Sequence, residues 1–157
     1  MQFRPHLKAA CWAALAACPV VGHAGEPAPR PQMNFPVTDR ARFDYRLHCG
    51  GCHRDDGSGQ PGFVPTLKGQ VGSYLWSRDG RAYLVQVPGV AQSFLSDVRL
   101  ADVLNYIVGD FDPKGPPAGA QPFAADEVGA LRKFPLSDAT KHRRRLRTPT
   151  SSHPERP

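Results

Sequence analysis

Apolar positions recur every three or four residues most clearly between Ser96 and Gly109. Ser96 is a good N-cap, Asp97 favours the positive end of a helix dipole, and Gly109 ends the periodic stretch. The pattern therefore predicts a long amphipathic helix. Its apolar face is expected to consist of Leu100, Val103, Leu104, Ile107 and Val108.

A shorter helix with the same period is predicted upstream. Thr38 or Asp39 can cap its start, Phe43 and Leu47 follow at i, i+4 spacing, and the pair Gly50-Gly51 ends it. We expect Phe43 and Leu47 to pack against the apolar face of the longer helix, which needs a partner.

The rest of the chain is less regular. Residues 54–72 are rich in Gly, Asp and Pro and show no period, so they are predicted to form a long loop of the kind that usually wraps a ligand or serves a function. Residues 76–87 form an apolar region that fits a short helix or a strand. Residues 113–140 are predicted to be a Gly/Pro linker with a short amphipathic helix near 126–132.

The N-terminus has the pattern of an export signal. Arg4 and Lys8 precede an apolar run over residues 9–21, and small residues precede a cleavage point after Ala24. The run is too short for a stable membrane span, so residues 1–24 predict a periplasmic protein. The main alternative is lipid anchoring at Cys18, because the residues before it resemble a lipobox; a buried N-terminal helix is less favoured.

The net charge of +6 is concentrated near the C-terminus. Residues 133–157 carry seven basic and two acidic side chains, whereas residues 25–132 carry 11 basic and 12 acidic ones. Residues 25–37 are predicted to be an extended Pro-rich leader, and residues 141–157 a basic disordered tail, because neither segment can bury much apolar surface. The tail could dock an acidic partner or a membrane surface, or simply keep the chain soluble. Nucleic acid is not an expected partner outside the cytoplasm.

The sequence Cys49-Gly50-Gly51-Cys52-His53 carries the candidate chemistry. Two thiols separated by two residues can add to the two vinyl groups of one haem, and the histidine that follows can then bind the iron. The motif predicts one covalently attached haem c held by Cys49 and Cys52, with His53 as an axial ligand of the iron.

Other interpretations of the cysteine pair are a thioredoxin-like redox site, a zinc site and a simple disulfide. A redox pair of that kind accompanies a βαβ pattern, and a zinc site needs further ligands at recognisable spacing. A disulfide could form in any exported protein. The haem interpretation uses all three residues of the motif at their required offsets, so we favour it.

The stretch Tyr45–His53, followed by Gly57-Ser58-Gly59 and by Pro65–Gly69, resembles a class I cytochrome c of the small bacterial monohaem type. The resemblance runs from about residue 38 to residue 108. It implies an all-α cytochrome c domain over residues 38–112, wrapped around one haem. It also implies an electron carrier rather than an enzyme, whose redox partner is an exported dehydrogenase or another cytochrome.

The same resemblance implies the surroundings of the haem. The carbonyl of Pro65 would accept a hydrogen bond from His53 and so orient the ring, as a ligating imidazole requires. Leu67 would pack on the porphyrin, and Tyr83 and Val87 would line the pocket.

The sixth iron ligand departs from the family pattern. The family supplies a methionine shortly before the last helix, whereas the matching place here reads Gln86-Val87-Pro88-Gly89, and Val87 cannot bind iron. Met33 lies upstream in the leader.

An open sixth position would favour an alternative function, the binding of a small gas or anion. Weak peroxidase chemistry would need a distal acid/base pair that is not evident. The weak candidates for the position are Gln86, Gln92, Tyr83 and water.

Overall fold

The computed structural model describes residues 35–147, so the predicted signal, Cys18, Met33 and the last ten residues lie outside the described part. Residues 35–147 contain no strand, only one isolated bridge between Gln60 and Val64. The described helices are all too short or too polar to cross a bilayer. The α-helices are α1 (Asp39–His48), α2 (Gly50–His53), α3 (Arg78–Gln86), α4 (Pro88–Ala91), α5 (Asp97–Phe111), α6 (Ala125–Leu131) and α7 (Ala139–Arg147), with a 3-10 helix at Val71–Trp76 before α3.

The two predicted N-caps are confirmed. The hydroxyl of Thr38 accepts a hydrogen bond from the backbone N–H of Ala41 at 3.1 Å, and the hydroxyl of Ser96 accepts one from Arg99 N–H at 3.4 Å. Each hydroxyl satisfies a donor that the first helical turn would otherwise leave unpaired. Helices α1 and α5 therefore begin where the sequence indicates, and they pack against each other.

The predicted contact face of α1 is wrong. Phe43 and Leu47 are 60% and 65% exposed, whereas Ala41, Asp44 and Tyr45 are buried. The buried face of α1 contains a carboxylate. A prediction that assigns the most apolar residues to the buried face therefore chooses the opposite face of this helix.

The buried carboxylate of Asp44 is paired with Arg99, which joins α1 to α5. Arg99 Nε donates to Asp44 Oδ2 at 2.8 Å, its second nitrogen contacts the other carboxylate oxygen, and Arg40 lies 3.5 Å away. These hydrogen bonds and the nearby positive charges hold the pKa of Asp44 below its usual range, although burial acts in the opposite direction. The carboxylate can be buried because a bidentate guanidinium neutralises it.

Tyr45 anchors α1 in an aromatic cluster. Its ring centroid lies 5.5 Å from that of Tyr106 and 5.0 Å from that of Phe111, and its hydroxyl donates to the carbonyl of Arg54 at 2.6 Å. Tyr45 is fully buried. This side chain therefore ties the end of α2 to α5.

The segment predicted as a linker packs into the same core. Phe123 and Val128 are buried, and Asn105 of α5 exchanges two hydrogen bonds with the backbone of Phe123, at 3.0 and 2.7 Å. Residues 113–131 thus wrap around α5 rather than separate it from a tail.

The start of the predicted disordered tail is helical in the structure. Asp138 caps α7 by accepting a hydrogen bond from Lys141 N–H at 2.8 Å, and Leu136 and Leu146 pack against the core. The helix packs on α3. Because several basic residues separate the apolar positions, the sequence shows no clear helical pattern here. Its basic composition alone predicted a disordered segment, so the helix was missed.

Candidate functional site

The two thiols and the imidazole of the motif are brought together within one helical turn. Tyr45 C=O accepts from Cys49 N–H at 2.7 Å at the end of α1, and Cys49 C=O accepts from His53 N–H at 2.9 Å across α2. Cys49 is half-buried and Cys52 is exposed, and both are free thiols. Burial, with a smaller contribution from Cys52, raises the pKa of the Cys49 thiol to about 11.

The His53 ring is fixed by the loop that follows the motif. Its Nδ1 lies 3.2 Å from the carbonyl oxygen of Pro65, as the family resemblance implies. Because a carbonyl can only accept, Nδ1 carries the proton and Nε2 keeps its lone pair. Burial lowers the pKa of His53, while the bond to Pro65 acts in the opposite direction, so the ring is neutral near pH 7. A neutral, anchored imidazole is what a metal ligand requires.

Gly59 allows the loop to bring Pro65 to His53. Gly59 has a φ of +67°, and its N–H donates to the carbonyl of His53 at 3.0 Å. A Cβ at this position would lie 2.7 Å from the carbonyl oxygen of Pro65, the same atom that anchors the imidazole. The loop geometry therefore requires a residue without a side chain.

We expect Gly59→Ala to destabilise the protein by more than the matched variant Gly62→Ala. Both positions have positive φ, but a Cβ at Gly62 meets nothing within 4 Å. Gly62→Ala should cost about 1 kcal/mol for the left-handed backbone, and Gly59→Ala at least about 1 kcal/mol more, because the loop must also shift. Urea unfolding of both variants measures the difference, and equal costs would contradict this view of the loop.

A cavity of about 350 Å³ opens beside the motif, lined mainly by apolar side chains together with Cys49, Cys52 and His53. Every residue that the sequence placed in the pocket lies on its wall: Pro65, Leu67, Tyr83 and Val87. Other lining residues include Val71, Tyr74, Leu84, Leu104 and Ile107.

The structure does not bring Gln86 or Gln92 to this cavity. Neither side chain is among the lining residues; Gln92 is exposed, and the Gln86 carbonyl accepts a hydrogen bond from Leu136 N–H at 2.9 Å. Sequence analysis also missed a wall supplied by α7. The lining residues of α7 are Ala139, Thr140, Arg143 and Arg147. The sequence did contain one sign of this helix, the N-capping residue Asp138.

Comparisons with known proteins identify the family. No family model matches the chain. It is 36% identical, over an alignment of 107 residues, to cytochrome c-552 of Thermus thermophilus, and the match covers 57% of this chain and 82% of that relative. A second cytochrome c-552, from a named strain of the same species, is also 36% identical and is covered over 72% of its length.

The chain belongs to the class I monohaem c-type cytochromes. This confirms the predicted family and, with the helical structure, the all-α fold. Members of the family carry electrons on a covalently bound haem c and are not enzymes.

The cavity of this cytochrome fits such a cofactor. Two free thiols stand one helical turn apart at its wall, a neutral imidazole with an available Nε2 stands beside them, and the remaining walls are largely apolar. By contrast, residues 35–147 contain no group of three His, Cys, Asp or Glu side chains arranged to hold a metal ion directly. The donor set therefore suits a porphyrin rather than a zinc ion.

Proposed function

We propose that this cytochrome is a periplasmic electron-transfer protein in which Cys49 and Cys52 hold the haem by thioether bonds and His53 binds its iron. The supporting observation is that these three side chains share one apolar cavity and that Pro65 orients the imidazole. The predicted export signal over residues 1–24 supports the location.

Each part of the cavity has a separate task. When bound, the haem supplies the one-electron redox chemistry. The thiols fix its position, His53 offers Nε2 to the iron, and Pro65 keeps the ring in one orientation. The apolar walls exclude water, which with the axial ligand sets the reduction potential. They include Val71, Leu84, Leu104 and Ile107.

Electrons would enter and leave at the cavity mouth. Cys52 is exposed there, and Phe63, which also lines the cavity, is 84% exposed. A partner protein can therefore approach the cavity edge closely. We propose an exported dehydrogenase or another cytochrome as that partner, with the basic segment from residue 141 onward serving to attract an acidic protein or a membrane surface.

A spectroelectrochemical titration tests this function. Protein purified from a host that matures c-type cytochromes should show one reversible transition that follows a one-electron Nernst curve, about 59 mV for each tenfold change in the ratio of the two states. The reduced and oxidised spectra should be recovered over repeated cycles. A coloured protein without a reversible one-electron transition would contradict the proposal.

A second candidate function is the binding of a small gas or anion at the sixth coordination position. Residues 35–147 include no methionine, and the second imidazole on the cavity wall, that of His48, adjoins Cys49 in sequence. Among the described residues, the cavity wall therefore offers the iron no thioether sulfur, and besides His53 and the two motif cysteines only the imidazole of His48 and the phenols of Tyr74 and Tyr83. Rapid binding of carbon monoxide to the reduced protein would favour this candidate, whereas slow binding would favour a carrier with a sixth ligand from elsewhere in the chain.

A further inference from the structure

Helix α7 places a positive charge in the wall of the cavity. Arg143 lines the cavity, with Ala139 one turn before it and Arg147 one turn after it on the same helical face. Arg143 is half-buried and takes part in none of the ion pairs found among residues 35–147. A guanidinium without a carboxylate partner, facing an apolar cavity, attracts anions.

The phenol of Tyr83 belongs to the same cavity wall as this charge. Tyr83 is buried, and its ring stacks on Tyr74, with centroids 5.1 Å apart, and on His142 of α7, with centroids 5.7 Å apart. Burial raises the pKa of Tyr83 to about 12; Tyr74 adds to the shift, and the charge of Arg143 opposes it. The phenol is therefore protonated near pH 7 and has an O–H group to donate.

Both groups share the cavity wall with the position at which the family resemblance would place the sixth ligand. Val87, where the family resemblance leads us to expect the methionine, follows Tyr83 by one helical turn, and its N–H donates to the carbonyl of Tyr83 at 3.1 Å. Tyr83, Val87 and Arg143 all line the cavity that His53 also faces. A polar donor and a cation thus line the same cavity as the apolar side chain that stands where a sulfur ligand was expected.

We propose, on the basis of the function proposed above, that Tyr83 and Arg143 form a recognition site for a small monoanion bound opposite His53. The phenol O–H would donate a hydrogen bond to the anion, and the guanidinium would add a charge-assisted contact. The cavity walls strengthen both interactions because they lower the local dielectric constant. This makes the second candidate function selective for anions over neutral gases.

Azide and carbon monoxide, one charged and one neutral, test the site. We expect the ferric protein to bind azide with a change in its absorption spectrum, and Arg143→Gln to raise the dissociation constant about tenfold or more. Tyr83→Phe should raise it about threefold to tenfold. Binding of carbon monoxide to the reduced protein should change by less than about threefold in Arg143→Gln, because the lost contact requires a charged ligand.

The matched control is Lys141→Gln, which removes one positive charge from the same helix at an exposed position that does not line the cavity. It should leave azide binding within about twofold of the original, since an exposed charge is largely screened. Arg143→Lys should restore part of the affinity, and circular dichroism of each variant shows whether α7 is retained.

Three results would overturn the proposal. Wild-type protein that carries haem but binds no azide would do so, as would equal azide affinities for Arg143→Gln and Lys141→Gln. A shift in reduction potential in Arg143→Gln with unchanged azide affinity would assign the guanidinium to the haem's own carboxylates instead. In each of these cases the protein still carries haem, so the electron-transfer proposal stands; protein without haem would remove both.

Discussion

Replacing both thiols, in the double variant Cys49→Ala with Cys52→Ala, should abolish covalent haem attachment completely. Cys49 and Cys52 are the only cysteines among residues 35–147, so the described part of the chain offers no other thiol for a thioether bond. Each single variant should retain one thioether bond and lose haem only in part. Haem staining of denatured protein on a gel, together with intact mass, measures the attached fraction.

Gly51→Ala is the control for this experiment. Gly51 lies between the two cysteines, and a Cβ there would meet nothing within 4 Å, so the variant keeps the spacing and the fold of α2. It should carry as much haem as the original chain. Haem that survives denaturation in the double cysteine variant would show that attachment occurs elsewhere.

Tyr45→Ala should produce the largest loss of stability among the substitutions considered. The fully buried ring packs between Tyr106 and Phe111, and its hydroxyl binds the Arg54 carbonyl at 2.6 Å. Truncating a buried aromatic side chain costs about 3–5 kcal/mol, which corresponds to a fall in melting temperature of at least about 10 °C for a domain of this size. Thermal unfolding of the haem-loaded protein measures it.

Phe43→Ala is the matched control, an aromatic truncation two residues away on the same helix. Because Phe43 is 60% exposed, this change should alter the free energy of unfolding by no more than about 0.5 kcal/mol. Tyr45→Phe, which removes only the hydroxyl contact, should cost about 1 kcal/mol. Comparable losses from Phe43→Ala and Tyr45→Ala would mean that the face of α1 toward α5 has been assigned incorrectly.

The sequence predicted those parts of the fold that local chemistry decides. Thr38 and Ser96 have side chains that pair with the first N–H groups of a helix, so the starts of α1 and α5 could be placed from residue type alone. The haem motif is also local, because all of its groups lie within five residues. The hydrogen bond between His53 and the Pro65 carbonyl was implied by the family resemblance, and the structure contains it.

Features that depend on distant partners were not predictable in this way. Asp44 lies on the buried face of α1 because Arg99, 55 residues away, neutralises it, and no pattern within α1 reveals that pairing. The long helix was expected to end at Gly109 but continues to Phe111. The backbone of Gly109 lies close to Phe35 and Val37, and helix propensity does not reveal such a contact.

Helix α7 is a second feature of the site that could not be predicted from local sequence. Its basic composition suggested a solvated tail, yet Leu136 and Leu146 supply enough apolar contact to dock it on the domain. Docking then carries Arg143 to the cavity wall. A charge that appeared to belong to a tail thus becomes part of the candidate site, through contacts that connect separate elements of the chain.

Peptide mapping of the mature protein tests the central claim most directly. Trypsin cleavage after Arg46 and Arg54 releases the eight-residue peptide 47–54, which contains both cysteines and His53. We predict that this peptide carries the mass of one haem, bound to both sulfurs, and that no other peptide does. Recovery of the same peptide from coloured protein with two free thiols, or with a disulfide, would contradict the account.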